Sequence, residues 1–331
     1  MAFGATILDP TGLRLTPEEK ALFSATQPFG FILFARNIDS AEQVRALCDE
    51  LRESVGRNAP ILLDQEGGRV QRLRPPLGTD WEPPLDFAAR AGVHAEEAMR
   101  LRYAITAAEM RAVGIDVNCA PLVDVAGEGT HPFLYNRCYG TDAAQVARLG
   151  RAVAQGLMQG GVLPVVKHIP GHGRAQADSH LELPRVTASL EELDDVDFAP
   201  FKVLNDLPMG MTAHLVYDAL DPDRPATLSP VVMQAVRNRI GFDNLLMTDD
   251  LTMKALAGEP ADLALASLEA GCDVALLCNA DLDTRTRVAE AVGLMTPPAQ
   301  ARAERVMALQ APAPALDIDA LKAKLTALMN G

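Results

Sequence analysis

Short apolar runs alternate with segments of helical period along the whole chain. FGATIL (3–8), GFILFAR (30–36), PILLD (60–64), IDVNCAPLVDV (115–125), VLPVVKH (162–168), GMTAHLV (210–216), NLLMTDD (244–250) and CDVALLC (272–278) read as strands. They lack polar alternation, the pattern of strands buried on both faces. Between them, amphipathic stretches predict helices: one from the Thr16-Pro17 pair, one from Ser40 through AEQVRALCDELRESV, then 95–113, 142–159, 189–206, 229–240, 261–271 and 280–293, with two more closing the chain. Eight strands, each followed by a helix, predict a closed (β/α)8 barrel of TIM type. An open doubly wound sheet fits less well, because no GxGxxG follows the first strand. No linker rich in Gly, Pro or Ser divides the chain. Residues 1–331 are therefore expected to form a single catalytic barrel domain, with C-terminal helices over about 297–331.

The ends of the strands carry the chemistry. Strand three stops at Asp64, strand five at Lys167-His168, strand six at His214 and strand seven at Asp249-Asp250. In a barrel the C-terminal strand ends open onto one face, and active sites are built there. The loop after strand five is the densest feature: Lys167-His168-Ile169-Pro170-Gly171-His172-Gly173, followed by Asp178-Ser179-His180. Gly171 and Gly173 permit unusual backbone angles and predict a mobile loop. Asp178 and His180, two residues apart, share one side of an extended backbone. The carboxylate can then fix the imidazole tautomer and raise its basicity, which suits His180 to proton transfer. As a bland alternative, the same residues make a polar surface loop with a local Asp–His hydrogen bond.

Bulk properties narrow the function. The 48% hydrophobic content supports a large core, and the net charge of −14 with a pI near 4.9 argues against nucleic acid and anionic membranes as partners. Five cysteines without a CxxC read as buried thiols of a reducing compartment. MAFGATILDP lacks the pattern of a signal peptide, and no apolar run reaches the roughly 18 residues of a membrane span. A cytoplasmic monomer acting on a small molecule is expected. A metal reading would join His168, His172 and His180 to Asp249 or Asp250. The usual HxH and HExxH patterns are missing, however, and Lys167 would repel a cation, so neither metal nor cofactor is expected.

Four motifs then act together: DQEGGRVQR, NRCYG, KHIPGHG-x4-DSH and MTDDLTM. From about residue 4 to 300, and in the same order, the chain strongly resembles the NagZ-type β-N-acetylglucosaminidases of glycoside hydrolase family 3. The resemblance implies a retaining exo-glycosidase with Asp249 as nucleophile and His180, tuned by Asp178, as acid/base. It implies sugar-binding roles for Asp64, Arg72, Arg137, Lys167 and His168. The implied substrate is N-acetylglucosamine β-1,4-linked to 1,6-anhydro-N-acetylmuramic acid, with or without peptide, in cell-wall recycling. The sequence departs from the family at Ile169 and at Cys138-Tyr139, both packing changes. His172 reads as structural and Asp250 as supporting. His214 either orients substrate or braces Asp249, and Trp81 is undecided between opening and core. A metal-dependent barrel hydrolase, a β-N-acetylglucosaminide phosphorylase and an inactive sugar-binding barrel are the competing functions.

Overall fold

The computed structural model describes residues 2–175, 183–312 and 314–330. Eight parallel strands make one sheet: β1 (Gly4–Leu8), β2 (Pro28–Leu33), β3 (Ile61–Leu63), β4 (Val117–Asn118), β5 (Leu163–Ile169), β6 (Met209–Thr212), β7 (Leu245–Met247) and β8 (Ala275–Leu277). They follow one another in chain order, and β1 pairs back onto β8 through Thr6 with Ala275 and Leu8 with Leu277. Between β7 and β8 the ring closes by one parallel bridge, Met247 with Val274. There the Asp273 amide donates to the Leu246 carbonyl at 2.8 Å, and the Thr248 amide to that of Val274 at 3.1 Å. The architecture is the (β/α)8 barrel expected from the strand pattern.

Sequence chemistry sets the helix starts. Thr16 and Ser189 form capping boxes with Glu19 and Glu192, while Ser40, Asp142, Ser229 and Asp281 each accept a backbone N–H of the first turn. The stretches 189–206 and 229–240 are less uniform than expected. Each contains a π-helical turn, Leu193–Asp197 and Val236–Ile240. The helix Pro84–Ala91 was not foreseen, because the proline-rich flank before it hides eight residues of amphipathic pattern. Apart from β5, the strands are shorter than the apolar runs. Of 115–125 only Val117–Asn118 is strand, and Val216–Tyr217 leaves the barrel to pair with Arg185–Val186.

Both faces of every strand are buried, but in different cores. Ile7, Ile32, Leu62, Val117, Val165, Met209, Met211, Leu245, Met247 and Leu276 fill the barrel. Their neighbours Leu8, Leu33, Leu63, Val166, Leu246 and Leu277 pack outward under the helices. The pleat therefore has its period of two although the hydropathy does not. The helix Pro297–Leu309 buries Ala299, Ala303 and Val306 in the same inner cluster as Phe3 and Phe29, which lie at the strand N-termini. The opposite mouth is left to the loops. Among the described residues no helix is long and apolar enough to cross a membrane, and all five cysteines are buried free thiols.

Candidate active site

Counting two residues on from the last apolar inward position explains the site. Leu62 is followed inward by Asp64, Val165 by Lys167 and Met247 by Asp249. The topmost inward layer is thus charged, where the layers beneath are aliphatic. These three side chains line one cavity of about 500 Å³ together with Arg72, Arg137, His168, His172 and Asp250. Ile32, Phe34, Phe133, Leu134, Met211, Met253 and Leu276 supply its apolar walls.

The floor is a buried ion network. Lys167 Nζ lies 3.0 Å from Asp64 Oδ1 and 2.7 Å from Glu66 Oε1. Arg137 grips Glu66 with two parallel bonds of 2.9 Å, and Arg72 Nη2 donates to Asp64 Oδ2 at 3.2 Å. Burial opposes ionisation of both acids, yet the neighbouring cations outweigh it. Asp64 is held well below the usual carboxylate range, and Glu66 is pulled down to about 2. Lys167 and Arg137 are correspondingly raised. Glu66 reaches this place through a hairpin of Gln65–Gly67 with Val70–Gln71. Gly67 has φ +107°, and a Cβ there would lie 1.9 Å from Arg102 Nη2. Arg102 and Tyr103 in turn donate to the Glu66 carbonyl at 2.8 and 2.9 Å. The glycines of DQEGGR therefore turn the chain tightly enough to aim Glu66 inward. Glu66→Gln keeps the shape and removes the charge shared by Arg137 and Lys167. Breaking one side of such a buried network costs about 3–5 kcal/mol. The variant should lose stability on that scale in urea melts and bind N-acetylglucosamine roughly tenfold more weakly, about 1.4 kcal/mol. Unchanged melting and binding would remove Glu66 from this role.

On β5, His168 Nδ1 lies 2.7 Å from Asp124 Oδ2, and the backbone N–H of His172 donates to Asp124 Oδ1 at 2.6 Å. Burial resists ionisation of Asp124, but His168 and the His172 backbone N–H outweigh that and lower it. An ionised acceptor at that distance holds a proton on His168 Nδ1. His172 stays neutral, since burial and the neighbouring His168 push it down to about 4. Gly171 takes an unusual backbone angle, φ +137°, and both Gly171 and Gly173 allow close packing. Cβ atoms there would meet Asp197 at 3.0 Å and the Val125 carbonyl oxygen at 1.9 Å.

On β7, the Asp249 carboxylate accepts the Asp250 amide at 2.8 Å. Burial would raise Asp249, but His168, that amide and Lys167 outweigh it and lower it. Asp250 differs: burial pushes it up to about 6 although both its oxygens accept bonds, from the Thr252 amide at 3.0 Å, the Cys278 amide at 3.1 Å and the Thr252 hydroxyl at 2.8 Å.

Asp64, Arg72, Arg137, Lys167, His168 and Asp249 thus come together as one lining. Asp178, His180 and Glu182 lie outside the described residues. His214 is no lining residue; it is buried behind Asp250. Trp81 packs edge-on against Phe87 instead of lining the cavity. The site is also wider than the ends of strands three, five, six and seven that the sequence marks. Arg36 and Asn279, after β2 and β8, line the opposite wall, where Arg36 pairs with Asp9 at the end of β1. Each of these directly follows an apolar run or lies one residue beyond it, the same signal that flagged Asp64. Asp124 gave no such signal, because it sits inside an apolar stretch. Among the described residues no cluster of His, Cys, Asp or Glu is arranged to hold a metal ion.

The sequence profile of the glycosyl hydrolase family 3 N-terminal domain matches residues 7–309. This chain belongs to glycosyl hydrolase family 3. The β-hexosaminidase of Tolumonas auensis is 38% identical over 92% of the chain and 90% of its own length. That of Methylococcus capsulatus is 40% identical over 82% of each. The crystal structure of native NagZ from Neisseria gonorrhoeae superimposes with a TM-score of 0.86 at 32% identity, over 100% of this chain and 97% of that one. Other structures of the gonococcal protein hold N-trifluoroacetyl-D-glucosamine or a zinc ion. The family 3 chain described here is a glycoside hydrolase of the β-hexosaminidase type.

Proposed function

We propose that this enzyme is a retaining exo-β-N-acetylglucosaminidase that removes terminal N-acetylglucosamine from peptidoglycan fragments during cell-wall recycling in the cytoplasm. The observation that carries the reading is Asp249, a carboxylate held ionised at the wall of a cavity whose floor offers Asp64, Lys167, Arg72 and Arg137. The cations donate to sugar hydroxyls and to the N-acetyl oxygen, and Asp64 accepts. The trifluoroacetylated glucosamine held by the gonococcal relative supports this ligand class. Asp249 attacks the anomeric carbon as the glycosidic oxygen departs with a proton from His180, whose basicity Asp178 tunes. His180 then takes a proton from water, the water cleaves the ester to Asp249, and the sugar leaves with its configuration retained. No step requires a metal.

The enzyme should release nitrophenol from the β-N-acetylglucosaminide far faster than from the β-glucoside, with rates unaffected by EDTA. Equal rates on the two sugars would sink the N-acetyl assignment. Loss on chelation with recovery in zinc would instead favour a metallohydrolase, a control made pertinent by the relative that binds zinc. Phosphate buffer should yield free sugar; a sugar 1-phosphate would make the protein a phosphorylase. Turnover of N-acetylglucosaminyl-1,6-anhydro-N-acetylmuramic acid, with and without peptide, tests the natural aglycone.

A further inference from the structure

His214 and Thr212 share the outward side of the chain leaving β6, two residues apart, and both reach Thr227 in the short 3-10 turn Ala226–Leu228. Thr212 Oγ1 lies 2.8 Å from Thr227 Oγ1, which is 2.8 Å from His214 Nδ1. On its other edge, His214 Nε2 lies 3.0 Å from the Asp250 carbonyl oxygen. All three side chains are fully buried. A carbonyl only accepts, so Nε2 carries a proton. In the neutral ring Nδ1 is then an acceptor. The one proton of the Thr227 hydroxyl has two acceptors in reach, the Ala213 carbonyl oxygen at 3.2 Å and the closer Nδ1 at 2.8 Å; it goes to Nδ1, and Thr212 donates to Thr227. The hydrogen bonds run in one direction, from β6 through residue 227 to the loop after β7.

That loop holds Asp249. The peptide joining Asp250 to Leu251 is fixed at both edges, its carbonyl by His214 and its N–H by the Leu276 carbonyl at 3.1 Å. The Asp250 side chain is tied to Thr252 and Cys278. What remains is the Asp250 amide, and it points at Asp249 Oδ1 at 2.8 Å. Rotation about Asp250 would aim that amide away and release the carboxylate. We propose that His214, as the Nε2–H tautomer set by Thr227, is a positioning residue that locks Asp250 and so aims the Asp249 carboxylate at the reacting carbon. It acts without touching substrate, because it lies behind Asp250 and outside the cavity lining.

The proposal rests on Asp249 being the nucleophile, and the test separates the two. The probe is 5-fluoro-N-acetylglucosaminyl fluoride, with the maximal inactivation rate and the half-saturating concentration measured separately. Wild-type enzyme should be labelled at Asp249; a label elsewhere overturns both readings. With that label in hand, His214→Gln and His214→Asn discriminate. The glutamine amide reaches toward Asp250 as Nε2 does, and the shorter asparagine amide reaches only toward Thr227. Loss of aim at the nucleophile costs up to about 100-fold in rate. The asparagine variant should therefore fall roughly 10- to 100-fold in inactivation rate with its half-saturating concentration unchanged, while the glutamine variant stays near wild type. Equal rates for the two variants, or a loss carried by the half-saturating concentration, overturn the proposal. Should either replacement fail to fold, Thr227→Val keeps the shape and removes the hydroxyl that sets the tautomer. A drop of several-fold in inactivation rate alone is then expected, and a wild-type rate overturns the assignment.

Discussion

Asp249→Ala is expected to lower kcat on aryl β-N-acetylglucosaminides by on the order of 10⁴-fold or more, while N-acetylglucosamine still binds. Among the described residues three carboxylates line the cavity, Asp64, Asp249 and Asp250, and their surroundings assign them different tasks. Asp64 is engaged by Lys167 and Arg72, so its charge is spent on holding cations in place. Asp250 has both oxygens committed to Thr252 and Cys278 and is raised to about 6, which makes it a poor nucleophile. Asp249 accepts the Asp250 amide and is kept ionised by His168, that amide and Lys167 against the cost of burial. An ionised, desolvated carboxylate at the inward position of β7 is the group a covalent glycosyl-enzyme needs. Steady-state rates for the variant, a fluoro-sugar label mapped by mass spectrometry and the anomer of the first product together check it. Turnover within about 100-fold of wild type, a label on Asp250, or an inverted product would each place the attack elsewhere.

The barrel was legible because its strands, buried on both faces, cannot hide among polar residues. The β/α alternation counted to eight without any tertiary information. The inward charged layer was legible for a related reason: Asp64, Lys167 and Asp249 interrupt apolar runs at their C-terminal ends, where burial needs a purpose. The same signal also marked His214 and could not say which way it points. Parity decides that, and parity needs the strand's true register, which β6 shows only once Met209 and Met211 are placed inside. Asp124 was illegible from the chain, because a carboxylate inside LVDV carries no sign that a histidine 44 residues later will bond to it. Glu66 was visible only as one more residue of DQEGGR. Its role depends on a hairpin whose tightness follows from Arg102, in a helix far along the chain. The close approach made at Gly171 and Gly173 was illegible for a similar reason. Glycine in a sequence allows both freedom and close approach, and only the neighbours Asp197 and Val125 tell them apart.

His180→Ala should slow a disaccharide by roughly 10²–10⁴-fold while glycosylation by a dinitrophenyl substrate stays near wild type. The expectation rests on leaving-group physics. A sugar alkoxide is a poor leaving group and must be protonated in the transition state; dinitrophenolate departs without help. Loss of a general acid therefore scales with the basicity of the departing oxygen, whereas loss of a binding contact does not. Asp178→Ala should show the same pattern more weakly, because the imidazole remains and only its tuning partner is gone. Other acids have less to offer. Glu66 is held at about 2 by Arg137 and Lys167 and carries no proton to give at neutral pH. Asp250, raised to about 6, has its oxygens turned toward Thr252 and Cys278. The deciding measurement is a series of aryl β-N-acetylglucosaminides of rising leaving-group pKa, followed in the pre-steady state for wild type and both variants. A steeper dependence on leaving-group pKa in His180→Ala than in wild type is the expected result. Parallel lines would remove His180 from the acid role and return the search to Glu182 and Asp250.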